Sequence, residues 1–154
     1  MKLYLETTVP NFLFADDAPE KRRVTEVFFR WLEIGTHELF VSDEVELELS
    51  RAPSPKREQM RAAMKRLPLD PLRVSVKARE LADAYLLAGI LPARFETDAV
   101  HAAVAVCERL DVVVTWNMKH LANARRVAAM NEVNMRLGFP KIRIETPAEI
   151  MGLK

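Results

Sequence analysis

The segment 111–115, DVVVT, is the feature that most constrains the fold. Consecutive β-branched residues are stiff at χ1 and favour strands, and a run without polar alternation suits a strand buried on both faces. Strands of that kind belong to parallel sheets, whose neighbouring strands are joined by helices packed on either side. Further strand candidates at 2–5, 38–41, 72–76 (LRVSV) and 141–145 (KIRIE) alternate with helical stretches. In the first of these stretches Val24, Val27, Phe28, Trp31 and Leu32 recur at the spacing of one buried helix face, and Gly35 ends it. Ser42 suits the N-cap of a helix over 43–52. A polar, basic helix is expected over 56–67, and another through Ala78, Leu81, Ala82, Tyr85 and Leu86. Thr97 suits the cap of an apolar, central helix over 98–109, and a long helix is expected from about Asn117 to Met135. The alternation predicts an α/β fold with a parallel sheet covered on both faces, as one domain over 1–154.

Composition narrows the function. The chain has 154 residues, 49% of them hydrophobic and 29% charged, as in soluble globular proteins. Its 23 basic and 22 acidic side chains argue against bulk electrostatic adhesion to nucleic acid, which leaves a local basic patch open. The one cysteine, Cys107, has no partner for a disulfide and lies in an apolar run, which suits a core residue in a reducing compartment. Glu6 and Pro10 interrupt the stretch where a signal peptide would be apolar, and no apolar run approaches the roughly 18 residues of a membrane span. A cytoplasmic protein is expected. With four glycines there is no phosphate-binding loop, and the scattered His37, His101 and His120 make no zinc site. No GxSxG elbow supports a serine hydrolase.

In a parallel sheet, sites form beyond the carboxyl ends of the strands. Polar clusters fall there: Glu6-Thr7-Thr8, then Ser42 to Glu48, then Thr115-Trp116-Asn117. On the helix after Ser42 the inward stripe is Val45, Leu49 and Ala52, and Glu48 is the acid nearest to it. Each acid has a plain structural reading too. Glu48 alone suits a rim residue paired with Arg51, and Asp98 suits a first-turn acid that offsets the helix dipole. Three acids on three elements at one sheet edge would repel one another strongly. A hard divalent cation with oxygen ligands, Mg²⁺ or Mn²⁺, would relieve that.

Four blocks of the sequence resemble the PIN-domain family. YLETTVPNF is similar to its first motif, an acid at the end of strand one followed by a hydroxyl residue. VSDEVELELSR is similar to the second, in which Ser42 precedes the helical Glu48 by six positions. TDAVHAAVAV resembles the third, an Asp opening an apolar helix with a small or histidine residue three further on, here Asp98 and His101. DVVVTWNMKHL resembles the fourth, with Asn117 two positions after the strand-ending Thr115. The blocks keep family order across nearly the whole chain. Two positions depart from the usual pattern: Glu6 stands where Asp is common, and the neutral Asn117 where Asp is frequent. With the ETxVPN opening they resemble a distinct branch.

The resemblance implies a three-layer αβα fold around a parallel sheet of about five strands. It implies metal-dependent cleavage of single-stranded RNA, with Glu6, Glu48, Asp98 and Asn117 as the catalytic set and Glu6, Glu48 and Asp98 holding Mg²⁺ or Mn²⁺. Thr7, Thr8, Ser42, Thr115, Lys119 and His120 would support these residues or touch substrate. Arg125 and Arg126 are further phosphate candidates, whereas the cations of 56–66 suit a solvated helix face. Trp116 suits either a base-stacking or a core role. VapC-type toxins are well-known members, which implies a toxin role, a small antitoxin partner and a homodimer. The alternatives are a catalytically weakened PIN-fold module that binds RNA or protein and, from another class, a receiver-type signalling domain. The latter wants an acceptor Asp ending a middle strand, which LRVSV lacks.

Overall fold

The computed structural model describes residues 1–153. Its sheet has five strands, β1 (Lys2–Leu5), β2 (Glu38–Ser42), β3 (Leu69–Leu72), β4 (Val112–Val114) and β5 (Arg143–Glu145), in the order β3-β2-β1-β4-β5. Every neighbouring pair is parallel, with Leu3 in register with both Leu39 and Val112. The helices are α1 (Thr8–Phe12), α2 (Pro19–Ile34), α3 (Asp43–Arg51), α4 (Lys56–Lys65), α5 (Val76–Leu87), α6 (Glu96–Cys107), α7 (Ala124–Arg136) and α8 (Pro147–Ile150). A 3₁₀ turn, Ala93–Phe95, leads into α6.

The central strand explains the layering. Side chains alternate across a strand, so Leu3 and Leu5 enter a core with Phe28, Phe29, Leu32, Val112 and Val114 on one face. Tyr4 and Val113 face the other way, into a larger core with residues of α3, α5, α6 and α7. Val112, Val113 and Val114 are fully buried, as the DVVVT run requires of a strand covered on both sides. The α/β fold and the parallel sheet of five strands are as expected. Among the described residues no helix is long and apolar enough to cross a membrane.

Four local expectations are corrected. The third strand lies at Leu69–Leu72, earlier than LRVSV, and includes Pro71. Proline is tolerated because β3 is an edge strand, while Ser75 is used to cap α5 by accepting from the Ala78 amide. The buried face of α2 is Thr25, Phe28, Phe29 and Leu32, with Val27 exposed. Two overlapping stripes compete there, and the chosen one brings the Thr25 hydroxyl to the Trp116 indole N–H at 2.9 Å. Helix α6 starts at Glu96, so Thr97 is inside it and Asp98 lies in its first turn. Helix α7 starts seven residues later than expected. Its cap is Asn123, and Asn117 folds back on its own turn, its side-chain oxygen accepting the His120 amide at 2.9 Å. Asn117 thus opens a single turn that closes where the Leu121 and Ala122 amides both donate to its carbonyl, and the same side-chain contact at Asn123 starts α7 afresh.

Candidate metal and nucleic-acid site

The ladder between β1 and β4 continues one residue past β1, where the Glu6 amide donates to the Val114 carbonyl at 3.0 Å. Glu6 is therefore held at the carboxyl edge of the sheet and is only 3% exposed. A carboxylate so buried needs donors. Its Oε1 receives the Thr8 amide at 3.1 Å, the Thr8 hydroxyl, and the Thr115 hydroxyl at 2.6 Å. Thr8 Oγ1 in turn accepts the Trp116 amide, and Thr115 Oγ1 accepts the Asn117 amide. The two threonines thus pass backbone donors of the β4 loop on to one acid.

Glu48 reaches the same place from α3, as its helical position predicts. Its Oε1 accepts the Thr7 hydroxyl and a His101 Nε2 proton, each at 2.6 Å. Glu48 can only accept, so Nε2 carries hydrogen whatever the charge on the ring. Behind it, His101 Nδ1 lies 2.6 Å from the Tyr4 hydroxyl, which lies 2.7 Å from Ser42 Oγ. With a neutral ring the hydrogens run one way, from Ser42 to Tyr4 to His101 to Glu48. Burial raises the Glu48 carboxyl, but the His101 hydrogen bond and charge, Thr7 and Arg51 outweigh it and hold it below its ordinary value. For His101 burial opposes charge, and the bond to Glu48 with the fields of Glu6, Glu48 and Asp98 pushes the imidazole up. Burial keeps the Tyr4 phenol well above its usual range.

Glu6, Glu48 and His101 each offer a possible ligand atom, all within 4.8 Å of one another. The histidine is better placed as a support than as a ligand, because the nitrogen facing the cleft bears the proton given to Glu48. Each acid commits Oε1 to its supports and leaves Oε2 without a protein partner. Asp98 lies outside this threesome but within its field. Burial and then the charge of Glu6 push its carboxyl up to about 6, against the opposing pull of His101. Its Oδ2 accepts from the Asn117 amide nitrogen at 3.3 Å. Asn117 therefore ties Asp98 on one side to the His120 backbone on the other. Glu6, Thr7, Thr8, Asn11 and Glu48 line an open cleft of about 240 Å³.

The remaining candidates separate cleanly. Ser42 caps α3 and ends the tyrosine–histidine chain. Lys119 is exposed, and His120 stacks on Phe95 with ring centroids 3.8 Å apart. Trp116 is 7% exposed and bonded to Thr25, which is a core role and not a stacking surface. On and just after α4 the cations Arg57, Arg61 and Arg66 pair with Glu58, Glu46 and Glu33, a solvated face. Cys107 is a free, partly buried thiol. Tyr4 and the supporting role of His101 went unanticipated. The signals were present: Tyr4 shares a strand face with Glu6, and His101 is at i+3 from Asp98, on one helix face.

No family model matches the chain, and no curated protein sequence matches it. Among solved structures it is similar to VapBC2 from Rickettsia felis, described as bound to a DNA fragment from their promoter. The match has a TM-score of 0.57 at 16% identity and covers 95% of this chain and 98% of the other. At that identity the likeness concerns the fold, which is PIN-like.

Proposed function

We propose that this chain is a metal-dependent endoribonuclease of the PIN type that cleaves single-stranded RNA. The observation that carries the reading is the meeting of Glu6 and Glu48 at the carboxyl edge of the sheet, each with one carboxylate oxygen uncommitted, with Asp98 close enough for their charge to raise its carboxyl. The donor set fits a hard divalent cation, because three carboxylates supply oxygen ligands and the one nearby imidazole nitrogen is protonated. Glu6, Glu48 and Asp98 would hold Mg²⁺ or Mn²⁺, which when bound offsets the negative charge gathering on the phosphate. The protein's own part is positional. Thr8 and Thr115 fix Glu6, Thr7 and His101 fix Glu48, and Asn117 fixes Asp98 without adding charge. One carboxylate takes the proton of the attacking water. Lys119 and His120 would meet substrate phosphates.

The PIN-like fold, together with the VapBC2 description of the neighbour, supports a toxin paired with a small antitoxin; a homodimer acting in the cytoplasm is proposed with it. The test is cleavage of a labelled single-stranded RNA with Mn²⁺ or Mg²⁺, with EDTA, and with Glu48→Gln. Cleavage abolished by EDTA and by the substitution is expected. A folded Glu48→Gln protein as fast as wild type would remove Glu48 from the site. RNA binding without cleavage would favour the catalytically weakened module.

A further inference from the structure

We propose that Arg94, Phe95, His120 and Arg126 form a phosphate-binding ledge that guides a single-stranded RNA into the acidic cleft. The identity of the strand rests on the nuclease reading, while the ledge rests on its own geometry. The Phe95 and His120 rings stack at 3.8 Å and 29°, and the Arg94 guanidinium lies over the Phe95 ring at 4.9 Å. On the other residue of the pair, Arg126 Nη1 is 3.2 Å from His120 Nδ1. A guanidinium only donates, so Nδ1 accepts and the neutral ring presents Nε2–H. Two aromatic rings thus fix two cations in place.

The charges there are unbalanced. Burial and then Arg126, Lys119 and Arg94 lower the His120 imidazole, so three cations act on one ring. Among the described residues none of Arg94, Lys119, Arg125 and Arg126 pairs with a carboxylate, whereas Arg57 and Arg61 of α4 and Arg66 just after it do. Cations gathered without acids attract a polyanion, and guanidinium suits phosphate geometry. Aromatic side chains among them are a mark of single-strand binding. A cleft of about 690 Å³ opens beside the ledge, walled by Arg125, Arg126, Asn123 and residues 88–93. The ledge is also joined to the acids, because Asn117 accepts from the His120 amide and donates to Asp98. The bonds through Asn117 run from the ledge toward Asp98, the direction in which a bound strand would be led.

The experiment measures binding of a labelled ten-nucleotide oligouridylate in EDTA by fluorescence anisotropy, over a series of salt concentrations, with strand integrity checked afterwards. Each lost phosphate contact reduces the slope of log K against log salt by about 0.7 for single strands. Arg94→Gln with Arg126→Gln should weaken binding at low salt by about tenfold and reduce the slope by about 1.4. Arg94→Lys with Arg126→Lys should retain the slope, and Arg61→Gln on α4 should change neither quantity. The ledge is overturned if the glutamine pair binds like wild type, or if Arg61→Gln weakens binding as much. Cleavage is read separately. A wild type that cleaves while the glutamine pair binds normally keeps the nuclease and removes the ledge. A wild type that never cleaves, with binding lost in the glutamine pair, keeps the ledge and removes the nuclease.

Discussion

The His101 imidazole is wholly buried behind the Glu48 carboxylate and meets it at 2.6 Å through Nε2, while Tyr4 holds the opposite nitrogen at the same distance. The three side chains come from α6, α3 and β1, so their contact ties two helices of one layer to the central strand. Losing the middle of such a chain affects packing and site geometry at once.

Tyr4→Phe removes the hydroxyl between His101 and Ser42 and leaves buried polar atoms without partners. Stability should fall by about 1–3 kcal/mol in denaturant titration. Divalent-ion affinity should fall by about tenfold, because the ring orienting Glu48 is no longer fixed. Unchanged affinity by calorimetry in a folded protein would mean that the chain is structural only.

Asp98 sets a pH dependence whose sign follows from its raised carboxyl. Folding lifts it from 3.8 to about 6, so the folded state binds this proton more tightly. The resulting penalty is absent below the unfolded value, grows between the two values and is complete above the folded one. Asp98→Asn should therefore stabilise the metal-free protein clearly at pH 8 and hardly at all at pH 4. Denaturant midpoints in EDTA at both pH values check this, and an equal gain at both would contradict the assigned cause.

Divalent-ion binding to the folded state alone should raise the melting temperature. At ten times the dissociation constant the linkage is about 1.4 kcal/mol, or about 4 °C for a domain of this size. Glu48→Gln and Asp98→Asn should each shrink that shift. A wild-type shift of zero across millimolar Mn²⁺ would dismiss the site as a metal centre.

Asn117→Asp tests the neutral fourth position. The amide now donates to Asp98, and a carboxylate there would face Asp98 oxygen to oxygen instead. In EDTA the melting temperature should drop. With Mn²⁺ the added charge should tighten binding, so the metal-induced shift should widen. If neither quantity moves, Asn117 acts only through its turn with His120.

The layered fold was readable because its signals are local and strong: the valine run, the prolines and the helix-capping serine each act within a few residues. Glu6 and Glu48 were readable for the same reason, one from a strand end and one from a helix stripe. What escaped the sequence was decided by distant partners. Thr25 chose the buried stripe of α2 through Trp116, a residue of the β4 loop. Asn117 opens only one turn, closed on its own carbonyl by Leu121 and Ala122, and α7 begins at the second capping asparagine, Asn123. His101 is marked by its place three residues after Asp98, but its supporting role shows only where Tyr4 and Glu48 stand on its two nitrogens.

Strand β1 comes first in the chain yet lies at the centre of the sheet, and β4, its neighbour, comes late. During synthesis Glu6 leaves the ribosome long before Thr115 and Asn117, which fix Glu6 and Asp98. A nascent or prematurely terminated chain ending before β4 has its first acids but neither the strand beside them nor the hydroxyl that fixes Glu6. The candidate site is thereby incomplete until β4 and its loop have been made, and fragments that stop before them lack the supports of both acids.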